Sequence, residues 1–277
     1  MPDNVLTVRE IKLTRLQANG APITTPTAKD VMLIDYGQTI GITYLTEDGK
    51  KITNEGPLGK ICEVVDPDKL IGCQADMQLA KVSSKFRYFV QGGSYVEATD
   101  KHTPPFSTSD APVPVAIEFY AEKYEDGEHF HGEQTGYLKF MLPKAKGKLG
   151  NENYDKAGFT NPSCTWTGKE YIDSTTPGNS KPCYDTDTAA TLPSEGSYAV
   201  PFKAVDNADA PVTGVLVSVT VNGTPVTGTT GDDGTCELTL PYGVHTYTAT
   251  KETMVTATAS IAVGLINDEI TVVMLAS

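Results

Sequence analysis

The stretch from Thr227 to Ala249 constrains the chain more than any other. It consists of two alternating runs separated by Gly/Asp-rich and Pro/Gly-rich punctuation, the composition of hairpins. Cys236, Leu238 and Leu240 fall on one face of a strand, with Thr235, Glu237 and Thr239 on the other. His245, Tyr247 and Ala249 alternate with threonines in the same manner, and a helix cannot place such a pattern on one face. Similar runs surround it. Val215, Val217, Val219 and Val221 precede an Asn222-Gly223 turn signal, and Ala257, Ala259, Ile261 and Val263 follow, then Ile270, Val272 and Met274. Seven or so short strands between tight turns predict a self-contained Greek-key sandwich over residues 195–277.

The first two-thirds also reads as strands. Val8 to Leu16 places Ile11 and Leu13 on one face, and Val31 to Leu45 holds a second strand region ending at the turn of residues 47–51. Asn54 to Gly59 reads as a Gly/Pro loop. From Lys69 to Lys81, Cys73, Ala75, Met77 and Leu79 alternate with Gln74, Asp76 and Gln78. The period then changes. Ser83-Ser84 offers a cap, Phe86, Phe89 and Val90 fall at helical spacing, and Gly92-Gly93 stops the run, so one short helix is expected. It is too short to be stable alone, which predicts that Phe86 and Phe89 pack on a sheet. Thr99 to Pro114 reads as a surface loop. Val113 to Phe119, Tyr137 to Leu142 and Phe159 to Thr167 read as further strands, with a turn at residues 125–127. Glu170 to Gly196, rich in Pro, Gly, Ser, Thr and Asp, reads as an arm or linker. The fold class is therefore all-β with one short helix. The expected domains are residues 1–194, including an arm from about 170 to 194, and residues 195–277.

Charge narrows the function classes. The formal net charge is -13 over 277 residues. Residues 195–277 hold nine acidic and two basic side chains, which is -7, leaving -6 for the rest. Both halves are acidic, which argues against nucleic-acid binding through phosphates. Five cysteines at irregular spacings, with no CxxC pair, suggest neither a zinc site nor a disulfide framework; Cys164–Cys183 is the loop worth weighing. The N-terminal residues lack a basic start followed by an apolar run, so no signal peptide is expected, and no stretch has the apolar length of a membrane span. Leu192 to Gly196 resembles a sortase signal only superficially.

Several residue groups bear on chemistry. His129 and His131, with Glu128 or Glu133, have metal-ligand character, although exposed histidines beside a turn explain them. Asp232-Asp233-Gly234 suits either Ca²⁺ or a type I turn. Glu118, Glu122, Glu125 and Glu128 contain the carboxylates of a glycosidase but lack its aromatic subsites. Lys144, Lys146 and Lys148 suit either a neighbour's acidic surface or an edge strand guarded by charge. The single Trp166 reads as packing. No Gly-rich phosphate loop or nucleophile–base set is present, so no enzyme is expected and no catalytic, cofactor-binding or metal-ligating residue is assigned.

Two resemblances add to this reading. Ala210-Pro-Val-Thr-Gly-Val-Leu-Val217, Thr230-Gly-Asp-Asp-Gly-Thr-Cys-Glu-Leu238 and Pro241 to Ala249 resemble carboxypeptidase regulatory-like and Cna-B-like immunoglobulin-fold domains. Cna-B-like domains often carry a Lys–Asn isopeptide bond; the lysines here are Lys203 and Lys251. The front part, from Val8 to Thr167, resembles the major tail tube proteins of long-tailed (siphovirus) bacteriophages. The likeness is carried by Gly59 to Gly72, the strand from Cys73 to Val82, the short helix ending at Gly92-Gly93, and the strand pair Pro114 to Ala121 and Gly136 to Pro143. That resemblance implies a virion tail protein, assembled in the host cytoplasm, whose hexameric rings stack into a tube with a continuous inner barrel. It implies partners in other copies of itself, a tape measure protein and tail terminator and tip proteins. DNA would pass through an acidic lumen without specific binding. Immunoglobulin-like domains decorate the outside of many such tails, with a host-surface glycan as candidate ligand. The alternatives are a head-decoration or other virion surface protein, and a carbohydrate-binding or adhesin module.

Overall fold

A computed structural model of the chain describes residues 5–34, 38–49, 51–56, 59–65, 67–107, 111–124, 134–150, 162–169, 171–172 and 180–276. The chain divides into two compact units, residues 1–23 with 36–189, and residues 24–35 with 190–277. The strand elements up to residue 189 are β1 (Val5–Arg15), β2 (Val31–Ile34), β3 (Gln38–Glu47), β4 (Lys51–Gly56), β5 (Gly59–Val65), β6 (Lys69–Gln78), β7 (Ser94–Val96), β8 (Lys101–Thr103), β9 (Val115–Tyr124), β10 (Gln134–Leu149), β11 (Ser163–Lys169), β12 (Tyr171–Ile172), β13 (Ser180–Lys181) and β14 (Asp185–Ala189). The helix α1 spans Ser84–Gln91.

The first unit is built on a closed ring of strands. Their order is β11-β6-β3-β1-β9-β10, and β10 returns to pair with β11, every pairing being antiparallel. Closure removes the open edges that a flat sheet would expose. The alternating positions point inward as their spacing requires: Ile11, Leu13, Ile40, Ala75, Met77, Ile117, Phe119 and Leu142 are all buried. Register explains how the interior fills. Trp166 lies opposite Gly147 on one side and Ala75 on the other, two small residues flanking the largest side chain. Its indole Nε1 donates to the Met77 sulfur at 3.0 Å.

The helix forms where its signals lie. The Ser83 hydroxyl accepts from the Phe86 N–H at 3.1 Å, and the Gly92 N–H donates to the Tyr88 carbonyl at 3.1 Å. Phe86 and Phe89 are buried, with α1 packed on β10 and the Phe86 ring edge-on to Trp166 at 6.1 Å.

Three expectations need correction. Residues 170–194 are not a plain linker: β14 pairs with Tyr137–Met141 of β10 and belongs to the barrel sheet. The boundary between units accordingly falls at 189/190 rather than 194/195, and residues 24–35 group with the C-terminal unit. Asn54 to Gly59 is not a loop, because Asn54, Glu55 and Gly56 continue β4 and Gly59 opens β5. The Pro/Ser/Thr-rich run after Thr99 includes β8, which pairs with β7. Each miss has one cause: polar, β-poor residues adopt strand geometry when a neighbouring strand supplies the hydrogen bonds.

The second unit contains β15 (Ser197–Val205), β16 (Leu216–Val221), β17 (Thr224–Thr229), β18 (Thr235–Pro241), β19 (Gly243–Thr250), β20 (Ala257–Val263) and β21 (Ile270–Val273). They form two sheets, β18-β15-β21 and β17-β16-β19-β20, with β15 and β21 parallel. The inward faces meet in one core containing Val200, Phe202, Val217, Val219, Leu240, Tyr247, Ile261 and Val272. Asn222 and Gly223 take φ values of 48° and 81°, the paired positive angles of a two-residue hairpin turn, with Val221 opposite Thr224. Buried Thr230 is satisfied: its hydroxyl donates to the Val212 carbonyl at 2.7 Å and accepts from the Val215 N–H at 3.0 Å. Leu192 to Gly196 is a short 3₁₀ turn, its Glu195 carboxylate accepting from the Leu192 N–H at 2.9 Å.

Candidate assembly surface

Beside the closed ring, the described residues hold three separate two-stranded sheets, β4–β5, β7–β8 and β12–β13, of which β4–β5 is the longest. Its strands pair from Lys51 opposite Val65 to Gly56 opposite Gly59, with one register shift between Asn54 and Glu55. Among the described residues they form a two-stranded sheet that joins no other strand. The Gly49 N–H donates to the Asp68 carboxylate at 2.9 Å, which pins the base of the hairpin. Two strands alone are marginal in water, and their outer edges present N–H and C=O groups to any further strand. Composition did carry a signal for this element. Ile52, Thr53, Ile61, Val64 and Val65 are β-branched and flank Gly56-Pro-Leu-Gly59, but the Pro and two Gly weighed toward a loop.

Glu118 and Glu122 are held in structural pairings. Glu118 accepts from Lys12 at 3.0 Å and from the Tyr120 hydroxyl at 2.6 Å, and Arg9 Nε lies 3.2 Å from Glu122. The Lys12–Glu118 and Arg9–Glu122 pairs span β1 and β9, so these carboxylates tie the two strands together across the register, while Tyr120 holds Glu118 from within β9. Glu125, Glu128, His129, His131 and Glu133 lie outside the described residues. Among the described residues no group of three His, Cys, Asp or Glu side chains could hold a metal ion. Asp232-Asp233-Gly234 is a closed turn. The Gly234 N–H donates to the Gly231 carbonyl at 3.0 Å, and Asp233 accepts from both the N–H and the hydroxyl of Thr235, at 2.9 and 2.8 Å. Those two bonds, the backbone one first, hold the Asp233 carboxyl below its ordinary value.

Lys144, Lys146 and Lys148 lie at the end of β10, beyond or beside its last pairing with β9 at Ala145. Residues 145–149 of β10 pair with β11, so that Lys146 faces Thr167 and Lys148 faces Thr165, while Lys144 Nζ donates to the Asn19 carbonyl at 3.0 Å. Trp166 is wholly buried, and Tyr247 sits in the module core with its ring edge-on to Phe202 at 5.4 Å, so neither is a surface platform. Cys73, Cys164 and Cys183 are buried thiols, and no disulfide links Cys164 to Cys183. Lys251 Nζ donates to the Thr213 carbonyl at 2.9 Å. No helix among the described residues is long and apolar enough to cross a membrane.

No protein-family model matches the chain, and no curated protein matches it. Among solved structures it is similar to the Bacillus anthracis TIE protein, at 9% identity and a TM-score of 0.26, covering 97% of this chain and 35% of that one. It is also similar to a C-terminal fragment of the pilus adhesin SpaC from Lactobacillus rhamnosus GG, at 10% identity and a TM-score of 0.23, covering 100% of this chain and 91% of the fragment. The chain thus spans about a third of the TIE protein's length. Likenesses this loose leave function to be argued from the chain's own geometry.

Proposed function

We propose that this chain is a structural virion protein, the major tail tube subunit of a long-tailed bacteriophage, with the C-terminal sandwich as an exterior immunoglobulin-like decoration. One observation carries the reading: the hairpin β4–β5, which among the described residues joins no other strand beside a ring that β10 and β11 already close. A two-stranded sheet of this length gains stability when copies of the chain place their hairpins side by side, which builds a continuous wall from many subunits. Six-fold rings stacked in this way make a tube. The acidic balance of both units suits a conduit along which DNA phosphates move without adhering. On this reading the partners are further copies of the chain, the tape measure protein and the tail terminator and tip proteins.

Negative-stain microscopy of concentrated protein tests the proposal, with rings or tubes as the expected result. Monomers at every salt and protein concentration, together with a capsid-surface location in virions, would overturn it in favour of a head-decoration protein.

A further inference from the structure

Near one end of the barrel, Tyr44, Cys73 and Gly168 are neighbours in register on β3, β6 and β11. Residues opposite one another on adjacent strands share a face, and Cys73 continues the inward series of Ala75 and Met77. Residues 183 and 184, just before β14, lie across that row. A Cβ added at Gly168 would come within 2.9 Å of the Cys183 carbonyl oxygen, so the absent side chain is what admits Cys183. At the other end of the row the Tyr184 ring lies 5.2 Å from that of Tyr44, and it stacks on Phe140 at 5.3 Å. The same added Cβ would lie 3.7 Å from the Cys73 carbonyl oxygen, so the backbones of Cys73 and Cys183 approach one another at this point. Cys73 and Cys183 are both buried.

We propose that Cys73 and Cys183 are a redox-controlled staple, joining as a disulfide under oxidising conditions and locking the strap of residues 182–184, just ahead of β14, across the barrel end. Both are thiols in this structure. Burial, with Cys183 adding to it, pushes the Cys73 thiol up to about 12, so the closed strap protects the pair and reaction begins when the strap lifts. The oxidant is a small-molecule disulfide such as oxidised glutathione. The Cys183 thiolate attacks one of its sulfurs, a glutathione thiolate leaves, and a mixed disulfide forms. The Cys73 thiolate then attacks Cys183 Sγ and expels the second glutathione thiolate. One S–S bond forms and one breaks. Two electrons pass from the protein thiols to the oxidant, and the two thiol protons end on glutathione. The bond would close a loop of about 110 residues, a length at which cross-linking restricts the unfolded chain strongly. The inference rests on the barrel alone and is independent of the tail tube reading.

The experiment uses the full chain, incubated folded with oxidised glutathione or with a reductant, then denatured, alkylated, digested without reduction and analysed by mass spectrometry. Two of the five thiols should be lost and recovered as a peptide linking Cys73 to Cys183. The melting temperature should rise by several degrees, and reductant should reverse the rise. Cys164→Ala should keep the rise, whereas Cys73→Ala and Cys183→Ala should each lose it. The peptide map of the unaltered chain decides the matter if an alanine variant fails to fold. The proposal is overturned if the linked peptide joins any other pair, if Cys183 stops at the mixed disulfide with glutathione, or if Cys73 and Cys183 both remain open to alkylation.

Discussion

At the scale of single residues, the barrel's stability concentrates where the helix meets it. Phe86 and Phe89 are each fully enclosed, and Phe86 shares its cavity with Trp166. Truncation to alanine leaves a void that the surrounding strands cannot close, at a cost of about 3–5 kcal/mol. Trp166 is the chain's single tryptophan and lies in this unit, so its fluorescence reports barrel unfolding separately from the sandwich. Phe86→Ala and Phe89→Ala should each lower the urea midpoint read by that fluorescence; variants that unfold at the wild-type midpoint would show that the helix does not anchor the sheet. Asp233 acts more locally. Its folded pKa is lowered, so its contribution is present above the ordinary carboxylate value and fades as pH falls through the folded one. The difference in melting temperature between wild type and Asp233→Ala, followed by circular dichroism of residues 190–277, should therefore be present at pH 7 and shrink only once the pH falls beneath the ordinary carboxylate range. An unchanged difference across that range would assign the effect to chain geometry instead.

At the scale of elements, β4–β5 and β14 make opposite demands. β14 is held through five register positions against β10, so it is integral to the barrel sheet. Among the described residues the hairpin shares no strand with the ring, so its removal should leave the closed barrel intact. Replacing residues 51–65 with a short Gly-Asn turn should preserve the Trp166 unfolding midpoint and abolish ring or tube formation in negative stain. Tubes formed without the hairpin would remove the main support for the assembly reading.

At the scale of the whole molecule, the sandwich has what autonomy requires: a core closed by its own seven strands and a satisfied buried threonine. Residues 190–277 expressed alone should give a monomer with one cooperative melt by circular dichroism. Crowding of its -7 charge is relieved if copies are spaced on an outer wall, where salt screens them over about 8–10 Å. A chain ending at residue 189 should on the same argument still build tubes, only thinner; an aggregated or unfolded 190–277 fragment would show that the sandwich depends on the rest of the chain.

What the sequence determined by itself was local and periodic. The valine ladder from Val215 to Val219, the Asn222-Gly223 turn, the capped helix and the inward series from Cys73 to Leu79 all follow from two-residue or helical spacing within a dozen positions. No family motif was needed to see them. What only tertiary structure decided was pairing at long range. The return of β10 to β11 that closes the ring, the recruitment of Asp185–Ala189 to β10, and the isolation of β4–β5 depend on which strand supplies hydrogen bonds from a hundred residues away or fewer. A strand's own side chains record its faces but not its neighbours. For the same reason five irregularly spaced cysteines could not announce a pair: the backbones of Cys73 and Cys183 approach one another at Gly168, a residue on β11 with no side chain to hold them apart.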